Sequence, residues 1–206
     1  MKTLLEAYHQ VLLEQNTISL TNYKVKYSVE DRRKQQVKLA YKKVEEYIKN
    51  GSQGDLDLNG TPITQLPAGL KVGGSLDLSQ TQITQLPADL EVGRYLYLTN
   101  TRITQLPAGL KVGGSLDLSQ TQITQLPAGL KIEGNLYIYE TPITQLPAGL
   151  RVGGDLFLLN TQIAKLPADL EVGRDLYLDR TPIAKKYTAD QLKQMLPGVR
   201  GGISVS

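Results

Sequence analysis

The chain has 206 residues, of which 23 are Lys or Arg and 20 are Asp or Glu, and its formal net charge is +3. Because basic and acidic residues are nearly equal in number, the net charge gives no indication of a nucleic-acid or membrane partner. Without a single Cys, the chain has no disulfide, no thiolate nucleophile and no zinc site built on thiolates. Glu6, His9 and Glu14 interrupt the apolar residues near the start, so we predict neither a signal segment nor a membrane span.

The first 50 residues predict two helices and a short extended segment. Residues 2–15 fit an amphipathic helix, residues 17–28 alternate as in a strand or hairpin, and a second helix is expected at about 29–49. Asn50-Gly51 is a typical helix end. The apolar face of the second helix comprises Val29, Val37, Ala40, Val44, Tyr47 and Ile48. We predict that residues 1–50 form an N-terminal helical cap.

From residue 51 onward the sequence repeats every twenty residues. The letters SLDLSQTQITQLP stand at 75–87 and again at 115–127. A fixed short period indicates a solenoid, in which each turn packs on the next. In each copy a pair spaced by two, such as Leu76 and Leu78, faces one side of a short strand, and later apolar residues complete the core. The Pro of each LP step is expected on the irregular side opposite the strands.

The pattern LxLxxTxIxxLPxxLxV resembles the leucine-rich repeats of the short, twenty-residue bacterial and phage type. The resemblance covers residues 51–187 in seven copies. It implies an α+β solenoid, a leucine-rich-repeat coil with one parallel sheet between an N-terminal helical cap and a C-terminal helix-strand cap. Thr stands in every copy where the family usually has Asn: Thr61, Thr81, Thr101, Thr121, Thr141, Thr161 and Thr181. We expect these hydroxyls to form a structural ladder by donating to neighbouring carbonyls.

Residues 188–206 lose the period and predict a C-terminal cap. They read as a short helix capped near Thr188, followed by a final strand around Ile203. Thr181 lies 22 residues before Ile203, seven more than the matching spacing within the repeats, and seven residues suffice for a short helix. This segment therefore predicts an altered last turn that covers the open sheet edge.

Residue types that could support catalysis or metal binding are scarce. His9 is the one His and has no evident triad partner, so we expect an ordinary helix residue and no enzyme activity. Asp57 and Asp77 occupy equivalent positions of consecutive copies and are expected side by side in the sheet. These two carboxylates could hold a cation or simply be solvated. We favour solvated carboxylates, because calcium takes about 6–8 oxygen ligands. We predict no metal and no cofactor.

The strand face, defined here as the three outward positions around the LxL leucines of each copy, varies along the chain. Aromatic and apolar residues gather in its later copies, with acidic residues around them. Exposed aromatic residues with a polar rim are typical of interface centres. The predicted protein-binding residues are Tyr95, Tyr97, Tyr137, Tyr139, Phe157, Leu159, Tyr177, Asp117, Asp155 and Asp175. The alternatives are an aromatic ladder that only stabilises the sheet, and burial against a second copy of the chain.

A basic run on the second predicted helix is the alternative site. Arg32, Arg33, Lys34 and Lys38 are the candidates for phosphate contacts. The same helix carries interleaved acids, and Glu30 with Lys34 form an i,i+4 pair that is typical of a solvent face. We therefore favour a solvated helix surface over a nucleic-acid site.

We interpret the chain as a non-catalytic protein–protein interaction module that binds a partner protein through its strand face. The resemblance to bacterial and phage repeat proteins implies a host-directed inhibitor or effector as one role. Nucleic-acid binding through the second helix and self-assembly into a homo-oligomer are the alternatives. We expect a soluble, cytoplasmic protein with no membrane partner, and secretion as an effector is the alternative location.

Overall fold

The computed structural model describes residues 29–205 of the chain. The helix predicted at 2–15, the extended segment at 17–28 and His9 lie outside the described residues. The chain divides into two units, Met1–Gln35 and Gln36–Ser206, and all of the repeats lie in the second.

Helix α1 spans Val29–Lys49, the bounds that the sequence predicts. Ala40 and Val44 are buried and belong to the same apolar core as the leucines of the repeats. The buried face is narrower than expected, because Val29 and Ile48 are 77% and 41% exposed. At the helix end the Tyr47 hydroxyl lies 2.7 Å from the carbonyl oxygen of Ser52, which ties the last turn of α1 to the start of the repeats.

Each of the seven copies contributes one strand at its LxL leucines, and these strands form a parallel sheet of eight together with one strand from the C-terminal segment. Each strand of the repeats pairs with the strand twenty residues away, so that Leu56 lies beside Leu76 and Leu156 beside Leu176. The strands are β1 Leu56–Asp57, β3 Leu76–Asp77, β5 Leu96–Tyr97, β7 Leu116–Asp117, β9 Leu136–Tyr137, β11 Leu156–Phe157, β13 Leu176–Tyr177 and β14 Ile203–Ser204. The predicted parallel sheet is confirmed.

The apolar residues of each copy fill one continuous core. In the fifth copy, for example, Leu136, Ile138 and Ile143 have no exposed surface. Because burying one such side chain contributes about 1.5–3 kcal/mol and each copy shares its core with its neighbours, a single copy has too little buried surface to fold alone.

The Thr ladder closes a turn at the end of each LxL strand. In all seven copies the Thr hydroxyl donates to the carbonyl oxygen three residues earlier, at distances from 2.6 to 2.9 Å. The expected bond to a carbonyl is thus present, but its partner lies in the same copy rather than the next. The residue before the Thr has a positive φ, as at Gln80 with 59°. The ladder is a set of identical local turns, stacked by the repeat.

Two further parallel sheets of three strands each, which the sequence analysis did not predict, run along another side of the core. The first contains β2 Lys71–Val72, β4 Glu91–Val92 and β6 Lys111–Val112. The second contains β8 Lys131–Ile132, β10 Arg151–Val152 and β12 Glu171–Val172. Neighbouring β6 and β8 belong to different sheets, so this ladder is interrupted once.

The interruption coincides with a change of one residue type. The residue after each of these strands is Gly73, Gly93, Gly113, Gly153 or Gly173, but Glu133 after β8. A Cβ on Gly93, Gly153 or Gly173 would lie 2.1–2.2 Å from the backbone oxygen of the matching residue one copy earlier. The side chain of Glu133 is incompatible with that approach, so β8 does not pair with β6.

The C-terminal segment has the predicted form. Helix α2 spans Ala189–Met195, and its N-cap Thr188 accepts a hydrogen bond from the Gln191 backbone while the Gln191 side chain accepts from the Thr188 backbone. Ile203 of β14 pairs with Leu176, 27 residues earlier rather than 20. The seven extra residues match the length of α2, which confirms the altered last turn.

Candidate protein-binding surface on the strand face

The in-register pairing of the strands brings equivalent strand-face residues together. The pairs at the middle position include Tyr137 with Phe157 and Phe157 with Tyr177. Because parallel strands lie about 4.8 Å apart, side chains at matching positions repeat at that spacing. Three adjacent aromatic residues must therefore stack if they adopt the same rotamer.

The three rings do stack. The ring centroids of Tyr137 and Phe157 are 4.7 Å apart with an interplanar angle of 5°, and those of Phe157 and Tyr177 are 4.5 Å apart with an angle of 7°. We call Tyr137, Phe157 and Tyr177 the aromatic stack. Its members are half-buried, so part of each ring is covered by the neighbouring ring and part faces solvent.

Tyr139 and Leu159 extend the aromatic stack sideways along their strands. The Tyr139 ring meets that of Tyr137 edge to face, with centroids 6.4 Å apart. The Asn135 side chain donates to the Tyr137 hydroxyl at 2.9 Å, which holds that ring in place. Leu159 is half-buried beside them. The structure thus brings together five of the predicted binding residues in one apolar area.

Tyr95 and Tyr97 form a separate pair on the same face. Each is 37% exposed, and their ring centroids are 6.0 Å apart. The Arg94 guanidinium lies 5.7 Å from the centroid of the Tyr95 ring. Together with acidic residues of the first two copies, they line a hollow of about 360 Å³. The pair is not continuous with the aromatic stack, because the intervening strand β7 carries Asp117.

Burial raises the pKa of the Tyr97 hydroxyl, with smaller contributions from Tyr95 and Asp77. The pKa of Tyr177 is also raised, by desolvation first and then by the charges of Asp175 and Asp155. Both phenols therefore remain neutral hydrogen-bonding groups well above neutral pH.

The predicted acidic residues have structural partners as well. Asp155 Oδ1 accepts from the backbone N–H of Asp175 at 3.0 Å, and Asp175 Oδ1 accepts from that of Gly202 at 2.6 Å. Asp117 Oδ1 accepts from the Ser119 N–H in its own copy at 2.9 Å. These bonds fix the carboxylates at the edge of the aromatic stack. Because a carboxylate has about four acceptor sites, each keeps acceptor capacity toward solvent.

Asp55, Ser115, Asn135, Asp155 and Asp175 share a role that sequence reasoning missed. In each case a side-chain oxygen accepts from a backbone N–H in the following copy or in the C-terminal segment. A signal was present in the sequence, since short Asp, Ser or Asn side chains stand at the first strand-face position of six copies. These are the side chains that hydrogen-bond backbone groups most readily.

Asp57 and Asp77 lie side by side, as predicted. Asp57 Oδ1 accepts from the Asn59 N–H, and Asp77 Oδ1 accepts from the Ser79 N–H. The Asn59 side chain also donates to Asp77 Oδ2 at 3.2 Å. Among residues 29–205, no three His, Cys, Asp or Glu side chains are grouped so that they could hold a metal ion.

The strand face is acidic as a whole. Its 21 positions in the seven copies contain seven Asp and no Lys or Arg, although the whole chain has a net charge of +3. The Asp residues are Asp55, Asp57, Asp77, Asp117, Asp155, Asp175 and Asp179. The strand-face positions around the aromatic stack therefore carry acidic and no basic side chains.

The basic run lies on α1. Lys34 is 3.6 Å from Glu30, so the predicted i,i+4 pair is present, and Lys42 forms a second such pair with Glu46 at 3.4 Å. Arg32, Arg33 and Lys38 are exposed on the same helix.

Sheet topology, register and the repeated turn define the class of this molecule as a leucine-rich-repeat solenoid. Its architecture is similar to a Shigella effector leucine-rich-repeat domain, with a TM-score of 0.50 and 20% identity over 84% of this chain and 93% of that one. It is also similar to YopM from Yersinia enterocolitica, with a TM-score of 0.55 and 18% identity. That match covers 87% of this chain but only 38% of YopM.

No protein-family model and no curated protein sequence matches the chain. At identities this low, the structural similarity establishes the fold, which is that of the short bacterial-type leucine-rich-repeat proteins. Within the described residues, none of the helices is both long and apolar enough to cross a membrane.

Proposed function

We propose that the chain is a non-catalytic protein-interaction module whose strand face binds a partner protein. The observation that carries this proposal is the aromatic stack, which with Tyr139 and Leu159 places five large apolar side chains on the outward side of the sheet. Such residues gain little from contact with water, whereas aromatic residues within a polar rim are typical of interface centres.

Stabilisation of the sheet explains only part of this arrangement. Stacked cross-strand aromatic pairs contribute about 0.2–1 kcal/mol each, which accounts for Tyr137, Phe157 and Tyr177. It does not account for Leu159, a half-buried apolar residue at the third strand-face position, where other copies have Asn59, Ser79, Thr99 and Ser119. An apolar residue at that position supports contact with another molecule.

A host-directed role, as inhibitor or effector, is the finer form of this proposal. Its support is the similarity of fold to the Shigella domain and to YopM, the first of which is described as an effector. The domain division that we propose is an N-terminal cap at 1–50, repeats at 51–187 and a C-terminal cap at 188–206.

The test compares capture of proteins by the wild type and by a Phe157→Asp, Leu159→Asp double variant. Nuclease-treated lysates of bacteria and of eukaryotic cells both serve, because the role could be directed at either. The matched control is Thr124→Asp, Thr144→Asp, which adds the same charge at exposed positions outside the strand face. Circular dichroism and a urea titration confirm that each variant is folded.

We expect one or more proteins to be retained by the wild type and by the control, and lost by the strand-face variant. Retention that is equal for all three would contradict the proposed surface. Retention that depends instead on Arg32 and Arg33, and that falls steeply with salt, would favour the nucleic-acid alternative on α1.

A further inference from the structure

We infer that the partner presents an extended segment rich in Lys or Arg, which lies over the aromatic stack with its charged groups among the surrounding carboxylates. This inference rests on the proposed function and specifies the chemistry of the partner. Its basis is the contrast between a strand face with seven Asp and no base, and a chain whose net charge is +3.

The position of the carboxylates supports a cationic partner. Asp155 and Asp175 flank Phe157 and Tyr177 at the first strand-face position, and Asp179 lies at the third. Each of the first two uses one oxygen for a backbone N–H and retains acceptor sites. Carboxylates that are held in place by the fold can bind a cation with little loss of side-chain entropy.

The apolar part of the surface fits the same kind of side chain. Lys and Arg have long aliphatic stems that cover apolar surface while their charged ends stay near polar groups. The ring edges of the aromatic stack and the neighbouring Leu159 offer such a surface, and the Asp residues lie on either side of it. A segment in extended conformation would place alternate side chains on the sheet.

Other occupants fit less well. In a two-fold contact between copies of this chain through the strand face, both surfaces would carry the same seven Asp and no Lys or Arg. Like charges at short distance disfavour that contact. Nucleic acid is disfavoured on this face by the same argument, since phosphates are negative.

The chain offers a direct reporter, because Phe157 is its only Phe. Growth with 4-fluorophenylalanine places one fluorine in the aromatic stack, and its NMR signal reports on occupancy. The probes are a blocked nonapeptide of alternating Arg and Ser, the same peptide with Lys for Arg, and the same peptide with Glu for Arg. A random nonapeptide display library, selected on the unlabelled protein, tests the preference without a chosen sequence.

The key variant is Asp155→Asn, Asp175→Asn. Asn keeps the acceptor oxygen, and Asn135 already bonds the backbone N–H of Asp155 in this way at 2.8 Å, so the variant loses charge but not its structural bonds. The matched control is Asp55→Asn, Asp57→Asn, which removes the same charge from the first copy. That copy lies five strands from Phe157, or about 24 Å, which exceeds the screening length of roughly 8 Å in physiological salt.

We expect the Arg and Lys peptides to shift the fluorine signal saturably and the Glu peptide not to. The key variant should weaken binding about tenfold and the control less than about twofold, and wild-type affinity should fall with added salt. Selected library peptides should be enriched in Lys and Arg. Enrichment of acidic or uncharged apolar peptides, equal binding by the key variant, or a dimer that Phe157→Asp dissociates would each overturn the inference.

The two proposals fail separately. If lysate capture depends on Phe157 and Leu159 but the library shows no basic preference, the protein-binding surface stands and its partner is not cationic. If neither the captured proteins nor the peptides depend on the strand face, both proposals fall.

Discussion

The eight-stranded sheet and the two three-stranded sheets are built from the same repeated sequence, but only the first runs without interruption. At the LxL strands each residue points into the core or outward, so both Asp117 and Tyr137 are accommodated at the middle position. After the strands of the two three-stranded sheets the backbones approach closely at a Gly in five of the six copies, and the ladder is interrupted where Glu133 takes its place. The comparison teaches that this repeat varies freely where side chains leave the sheet, whereas one Cβ after β8 accompanies the break in the other ladder.

The largest loss of stability is expected from a Cβ added where the backbones of neighbouring copies come close together after β10 and β12. In Gly173→Ala the new Cβ would lie 2.1 Å from the carbonyl oxygen of Gly153, so β10 and β12 must separate. We expect a loss of about 2–3 kcal/mol in the free energy of unfolding, measured by urea titration. Gly202→Ala is the control, because its Cβ would lie 3.5 Å from Asp175 Oδ1 and should cost less than about 0.5 kcal/mol. Equal losses would refute the steric explanation.

Within the uninterrupted sheet, the Thr ladder should matter next. Thr121→Val removes a buried hydroxyl that donates to the Leu118 carbonyl oxygen at 2.6 Å. A loss of about 1–1.5 kcal/mol is expected from urea titration, since the carbonyl keeps only its bond from the Thr121 backbone. The exposed Thr124→Val serves as the control and should change stability by less than about 0.5 kcal/mol. No difference between the two variants would mean that the ladder is dispensable.

One substitution should restore the pairing between β6 and β8 and so join the two three-stranded sheets. Glu133→Gly removes the Cβ that separates β6 from β8, so the amides of residues 131 and 133 should pair as those of Arg151 and Gly153 do. Two added bonds, offset by the entropy cost of Gly, should raise the free energy of unfolding by about 1 kcal/mol. Hydrogen exchange at the two amides is the direct measurement.

Glu133→Ala is the matched control for that repair, because it removes the charge and keeps the Cβ. It should leave both amides as exchangeable as in the wild type. Protection in the Ala variant would show that charge, and not the steric conflict, separates the two sheets.

A pH dependence is expected in the first three-stranded sheet. Hydrogen bonds from Lys111 and Lys71 lower the pKa of Glu91. A lowered folded pKa contributes stability above the unfolded value of about 4.3, and this is lost as the pH falls through the folded pKa. The difference in stability between wild type and Glu91→Gln should therefore be constant above about pH 5 and shrink below about pH 4. Salt at 1 M should reduce the difference, and a difference independent of pH would contradict this account.

The smallest effect is expected at Ser119, whose buried hydroxyl has no hydrogen-bond partner. Ser119→Ala removes an unpaired polar group, so the stability should stay within about 0.5 kcal/mol of the wild type or rise. A loss of 1 kcal/mol or more in urea titration would show that the hydroxyl has a partner in solution.

Much of the fold could be predicted from the sequence, because the residues that packing requires recur at the same positions in every copy of the repeat. The bounds of α1, the parallel register and the altered last turn with α2 all follow from local signals. The apolar face of α1 could not be delimited, since Val29 and Ile48 fit the helical period but are exposed, and no element within residues 29–205 covers them fully.

The members of the aromatic stack were predicted because strands paired in register place equivalent residues of neighbouring copies side by side. The carboxylate bonds to the next copy were missed, because a side chain counted as outward was not expected to bond to backbone. Asp155 and Asp175 thus combine a structural bond with a place beside the aromatic stack. The separation of Tyr95 and Tyr97 from the stack depends on one intervening strand.

The offset of twenty residues between paired strands of the repeats has a consequence for how such a molecule can change in length. Removing or duplicating one whole copy leaves each strand, Thr turn and side-chain acceptor with an equivalent neighbour, and no new loop is needed. The spacing between the tyrosine pair and the aromatic stack would then change in steps of about 4.8 Å. The distance between the two groups of aromatic residues can therefore be changed by the number of copies alone, without a change in the structure of any copy.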